Sequence, residues 1–196
     1  MEHLTDRQKQ IIAAALGIIS ERGLEALTMK AIAQRVGFSD AAVYRHFQDK
    51  SSVLSAMVDG FAADSLRALK RIGSNGSGLE NIRGFFLDRC RAFAADRTLA
   101  TVLFAEDLFK NNPLLAAKIH GVMGDHRRLL LQAIRLGQRQ GLLQPLPPAH
   151  LFTVIMGSLR LLVLQWLVNG CGFGLPRAGG KLWHSLETLL SAKTRR

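Results

Sequence analysis

Gly37 lies between two short runs that both repeat at helical spacing, and no other feature constrains the fold of this chain as much. The first run, Thr28 to Val36, carries Met29, Ile32, Ala33 and Val36 on one face, and the Thr28 hydroxyl is placed to cap its first turn. This predicts an amphipathic helix of about two turns. A chain leaving a helix commonly passes through the left-handed region, which glycine enters without a steric penalty, so the helix stops at Gly37. Ser39 then caps a second helix whose buried side holds Ala42, Val43 and Phe47. Two short helices joined by a tight glycine turn make a helix-turn-helix. Ala33 is small enough for the two helices to approach, and Val43 fills the angle between them.

The exposed face of the second helix is left with Asp40, Ala41, Tyr44, Arg45 and His46, with Lys50 just beyond. Small side chains near its start let the backbone enter a DNA major groove, and Tyr44, His46 and Lys50 supply donors for phosphate oxygens. The pattern T-x-x-x-I-A-x-x-x-G-F-S-x-x-x-V-Y-x-H-F-x-x-K, from Thr28 to Lys50 with Leu54 beyond, resembles the DNA-binding signature of TetR-family transcriptional regulators. The resemblance is specific through about residue 70 and architectural afterwards. It implies an all-α chain: a three-helix helix-turn-helix DNA-binding domain over 1–50, a linking helix over 48–71, and a helical effector-binding and dimerisation domain over 72–196. The DNA-contacting set it implies is Thr28, Lys30, Ser39, Asp40, Ala41, Tyr44, Arg45, His46 and Lys50. It also implies a homodimer joined by the last two long helices of each copy, acting as a repressor on a palindromic double-stranded operator and needing no cofactor.

The flanking pattern fits. Thr5 to Arg22 places Ile11, Ile12, Ala15, Ile18 and Ile19 on one stripe and ends at Gly23; Leu24, Leu27 and Phe38 complete the buried face of a three-helix unit. The 48–71 helix offers Val53, Leu54, Met57, Phe61, Leu66 and Leu69. Gly73 to Gly78 reads as a flexible loop and domain boundary. Helical patterns follow over 79–95, 98–110, 113–140, 148–169 and 179–192, with Pro113, Pro145, Pro147 and Pro148 at the breaks. The glycine-rich 170–180 segment reads as a loop, without the strand context or Gly-Lys-Ser/Thr ending of a phosphate cradle.

A chain of 196 residues can bury a sizeable core, roughly 70% of its unfolded surface. Met1 runs into a polar segment without an apolar signal core, so the expected location is the cytoplasm, where Cys90 and Cys171 are free thiols. The net charge of +11 does not itself argue for DNA, because the basic excess is C-terminal: Lys and Arg against Asp and Glu number 7 to 6 in residues 1–50 and 6 to 1 after residue 150. Leu151 to Val168 carries one charge, Arg160. An arginine at the centre of a span costs about 2.5 to 3.5 kcal/mol, and a helix buried against its own core on one side and a second subunit on the other explains the segment better than a membrane.

Five of the ten phenylalanines, Phe85, Phe86, Phe93, Phe104 and Phe109, fall close together. They form either an aromatic core or the wall of a small-molecule cavity. Polar residues in apolar surroundings are the discriminators: Glu106 and Asp107 interrupt LFAEDLF, His126 follows an apolar face, and Arg160 interrupts the next helix but one. The candidate ligand set is therefore Phe86, Cys90, Phe93, Phe104, Glu106, His126 and Arg160, with Arg160 as anchor for an apolar, anionic effector. His120, Asp125 and His126 match no metal motif. No paired nucleophile and base or cofactor fingerprint points to an enzyme. Two readings stand: a repressor released by a small ligand, or a DNA-bound adaptor whose C-terminal surface recruits a protein.

Overall fold

The computed structural model describes residues 4–72, 76–105, 110 and 112–192, with the side chains of the first segment described as far as Arg67. The helices bounded within the described residues are α1 (Asp6–Arg22), α2 (Met29–Val36), α3 (Asp40–Tyr44), α4 (Lys50–Ile72), α5 (Gly78–Ala95), α6 (Arg97–Leu103), α7 (Pro113–Arg139), α8 (Pro148–Val168) and α9 (Leu175–Leu190). Among the described residues extended pairing is limited to one isolated bridge, Leu143 with Ser191. By backbone proximity the chain divides into one unit of residues 1–64 and 97–122 and a second of residues 65–96 and 123–196. This division differs from a break at residue 72, because α6 and the start of α7 join the N-terminal helices.

In the first unit Thr5 starts α1 with a capping box: the Gln8 backbone N–H donates to the Thr5 hydroxyl, and the Thr5 N–H donates to the Gln8 side chain. The expected stripe of Ile11, Ile12, Ala15, Ile18 and Ile19 is buried in one core with Leu27, Ile32, Val43, Leu54 and Val58. Val102 of α6 and Leu115 of α7 belong to the same core, a long-range association that local pattern does not reveal.

In the second unit α9 packs on α5 and α8, and α5 on α8. The α5 face carries Ile82, Phe85, Phe86, Arg89, Cys90 and Phe93, all buried. Gly78 opens α5 so close to α7 that a Cβ there would fall 2.2 Å from the Ala133 carbonyl oxygen and the Gly137 nitrogen. The C-terminal end of α9 is tied down by the Gln144 N–H donating to the Leu190 carbonyl and the Ala192 N–H to the Leu142 carbonyl.

Two expected helix boundaries shift. The 98–110 helix is α6 and ends at Leu103. The last helix starts at Leu175, so Pro176 occupies its first turn and Gly179 and Gly180 lie inside it. The glycine-rich run is thus only partly a loop: position 179 is helical, and it is a glycine because a side chain there would collide with Cys90. Leu186 and Leu190 of this helix are buried, and Leu189 is exposed. Glu106, Asp107, Phe109, residues 73–75 and the side chain of Leu69 lie outside the described residues.

Candidate nucleic-acid interface and a buried polar cluster

The helix-turn-helix is built by local chemistry. The Thr28 hydroxyl accepts from the Ala31 N–H at 3.0 Å and the Ser39 hydroxyl from the Ala42 N–H at 3.2 Å, so both residues cap helices. Gly37 is left-handed, φ +75°, and both its N–H and that of Phe38 donate to the Ala33 carbonyl. Ala33 and Val43 are fully buried where the two helices meet. The second helix is shorter than its pattern suggested, ending at Tyr44; Phe47 lies past it yet stays buried, its N–H donating to the Val43 carbonyl. Around the turn, the Arg7 guanidinium stacks 4.9 Å from the Phe38 ring centroid.

Lys30, Asp40, Ala41, Tyr44 and Arg45 are exposed, Tyr44 by 51% despite its ring, and His46 is half-buried. Lys50 departs from expectation. Its ammonium donates to the Leu24 carbonyl at 3.1 Å and it is half-buried, so it braces the 3-10 turn of Leu24–Ala26 onto the start of α4. A second brace is Arg35, whose guanidinium donates twice to Glu21, at 2.7 and 2.6 Å. These bonds hold the Glu21 carboxyl below its usual range and raise Arg35.

The ligand set divides between the units. Phe86, Cys90, Phe93 and His126 are buried in the second unit, whereas Phe104 is half-buried in the first, and Glu106 lies outside the described residues. Arg160 corrects the sequence expectation: it is exposed. The buried face of α8 consists of Leu151, Ile155, Leu159, Leu162, Val163 and Trp166, and helical rotation turns Arg160 away from that face.

The polar group inside this core is a different one. His126, 5% exposed, hydrogen-bonds the buried Ser65 hydroxyl at 2.5 Å and meets the Phe85 ring edge-on, centroids 5.2 Å apart. Arg89, 4% exposed, donates to Asp88 at 2.5 Å. Burial first, and then the charge of Arg89, push the His126 imidazole down to about 4, opposed by Asp125, so it is neutral at pH 7. Trp183 stacks obliquely on Phe86, centroids 5.6 Å apart, with its indole N–H buried and without an acceptor among the described residues. Sequence reading missed Arg89, although its spacing of four from Phe85 and seven from Ile82 places it on the buried face of α5. Cys90 is fully buried, and burial raises its thiol to about 11, which keeps it protonated at pH 7.

The α8 helix is long and apolar enough to cross a membrane by length and composition. One side enters the core of the second unit, and the other exposes Val154, Leu161, Leu164 and Val168, the last by 78%. A Cβ at Gly157 on that side would meet nothing within 4 Å.

Residues 11–57 match the family of bacterial regulatory proteins described as the tetR family. The nucleoid occlusion factor SlmA of Pasteurella multocida is 28% identical over 144 residues, 71% of this chain and 69% of that protein. Several further relatives match over 55 residues only, no more than 27% of their own length. Among solved structures, the fatty acid degradation regulator FadR of Bacillus halodurans superposes with a TM-score of 0.82 at 24% identity, over 94% of this chain and 96% of that one. FadR of Bacillus subtilis in complex with stearoyl-CoA gives 0.78 at 22% identity, over 91% and 96%. At these identities the two structures establish the shared fold.

Proposed function

We propose that this chain, a DNA-binding transcriptional regulator of the TetR family, is a dimeric cytoplasmic repressor released from a palindromic operator by an apolar, anionic effector held in its second unit. One recognition helix reads too few base pairs to specify a site alone, so two are needed about one helical turn apart or a multiple of it. The bare apolar side of α8 supports the dimer, since Val154, Leu161, Leu164 and Val168 leave a hydrophobic stripe that a second copy covers.

The observation that carries the sensor reading is the Arg89, His126 and Ser65 cluster within an aromatic core. A buried guanidinium beside a neutral imidazole favours an anionic head group, and Phe85, Phe86 and Phe93 favour an apolar body. Arg89 replaces Arg160 as the anchor. The stearoyl-CoA complex of a protein with this fold supplies the chemical class to try first. Repression is relieved if the ligand binds the form whose reading heads are off operator spacing; moving a 1:99 balance to 99:1 takes about 5.5 kcal/mol of differential affinity.

The test is a thermal shift and operator-release titration with stearate and stearoyl-CoA, on the wild type and on Arg89→Met and Arg89→Lys. The sensor reading expects stabilisation and release that Met abolishes and Lys partly keeps. If neither probe stabilises or releases the wild type, this effector class falls. The adaptor reading then leads, supported by the likeness to a nucleoid occlusion factor that runs beyond the helix-turn-helix.

A further inference from the structure

The positive charge of this DNA-binding protein is not in its reading unit. Residues 1–64 and 97–122 contain 10 Lys and Arg and 10 Asp and Glu, while residues 65–96 and 123–196 contain 16 and 5. Between Asp125 and Glu187 there is no acidic residue. The whole excess of +11 therefore belongs to the second unit.

Part of that excess is ordered into a line. Arg128, Gln132, Arg135 and Arg139 recur at steps of four, three and four along α7, which places them on one stripe, and all four are exposed. Arg128 shares its charge with Asp125 at 2.8 Å, but Arg135 and Arg139 are in no ion pair among the described residues. Gly124 continues the stripe toward the N-terminus, and a Cβ there would meet nothing within 4 Å. From Arg128 to Arg139 the stripe is about 16 Å long.

We propose that this arginine stripe is a second DNA-contacting surface, one that grips duplex phosphates without reading sequence. A strand of duplex presents a phosphate about every 3.4 Å of axis, so the stripe runs alongside about five of them. Other polyanionic partners fit less well. An interfacial helix needs apolar side chains beside its basic ones to enter a lipid surface, and a protein partner needs a buried apolar or aromatic anchor. The stripe itself carries no apolar side chain, and of the leucines and isoleucine beside it Leu130, Leu131 and Ile134 are buried in the core while Leu129 and Leu136 are half-buried. A reading unit with no net charge contributes little to the long-range, salt-dependent part of binding beyond its own local phosphate contacts, and the stripe adds to it. The inference rests on DNA being the partner of the helix-turn-helix, but not on any effector.

The test uses the full chain and a random-sequence duplex, with affinity measured between about 50 and about 200 mM salt. The comparison is of wild type, Arg135→Gln/Arg139→Gln and Arg135→Lys/Arg139→Lys, each also in a Tyr44→Ala/Arg45→Ala background that disables the reading helix. The expected result is a salt slope reduced by about 0.9 for each arginine lost from the contact, about 2 for the Gln pair, and retained by the Lys pair. Salt-steep binding should persist when the reading helix is disabled and vanish when the stripe is neutralised as well. Both arginines are exposed, so the melting temperature of the Gln pair serves as a folding check. An unchanged slope in the folded Gln pair overturns the proposal. So does an Arg135- and Arg139-dependent association with phosphatidylserine vesicles while the DNA slope stays fixed. Absence of a two-fold operator footprint would instead count against the repressor reading, and the two failures are distinguishable.

Discussion

Gly179 and Cys90 touch across the α5–α9 contact: a Cβ at Gly179 would stand 2.5 Å from the Cys90 sulfur and 3.1 Å from its Cβ. Both are buried, so neither helix can accept a methyl group without displacement. Overpacking of this kind costs about 1 to 3 kcal/mol. Gly179→Ala should therefore destabilise the protein, and Cys90→Ala, which removes the obstructing sulfur, should recover part of the loss. Urea unfolding of the two single variants and the double measures the coupling; strict additivity would show that the two residues do not obstruct one another.

Gly17 and Gly78 are both crowded, but their obstacles differ. A Cβ at Gly17 would lie 2.6 Å from a terminal nitrogen of Arg35, the far end of a flexible side chain, whereas at Gly78 it would strike the backbone of α7. Gly17→Ala gains about 1 kcal/mol of helix propensity, and displacing Arg35 disturbs only its exposed pair with Glu21, which contributes little to stability. It should leave the melting temperature unchanged or raise it, and Gly78→Ala should lower it by several degrees. A reversed order in a thermal melt would contradict this account.

What was legible in the sequence follows from the range of the forces involved. The helix-turn-helix is made by caps, a left-handed glycine and short apolar spacing, all within a few residues, so Thr28, Gly37, Ser39 and Val43 could be read directly. The partition of the chain could not, because Val102 and Leu115 join the N-terminal core through contacts far apart in sequence. Gly179 looked like loop punctuation because its reason for being glycine lies on another helix. Arg160 stood out in sequence as a lone charge and is on the surface, while Arg89, hidden among Asp88 and Arg91, is the buried one. Counting charges by neighbourhood misleads there; following the helical period does not.

For DNA reading, Lys50 and Tyr44 should separate. Lys50 is occupied with the Leu24 carbonyl, so Lys50→Ala should lower stability by about 1 kcal/mol and change the operator salt slope by less than about one unit. Tyr44→Phe should weaken binding equally on all sequences with stability unchanged, since its hydroxyl is assigned to phosphate and the residue is 51% exposed. A full unit of lost slope for Lys50→Ala, with unaltered stability, would restore it to the phosphate contacts.

The burial of His126 gives the stability of this protein an acid limb. The imidazole is pushed down to about 4 in the folded state, chiefly by burial, from an ordinary value of 6.5. As pH falls through 6.5 the unfolded chain takes up a proton that the folded chain refuses, so unfolding becomes easier. The stability linked to this group is complete above about pH 6.5, declines as pH falls toward about 4, and is lost below it. The shift corresponds to about 3 kcal/mol at most. His126→Gln cannot titrate and should be less stable than wild type at about pH 7 but should lose less on going to about pH 5. Urea unfolding at the two pH values, with all other histidines kept, isolates the group. Equal losses in wild type and variant would mean that His126 is already accessible to protons in the folded state.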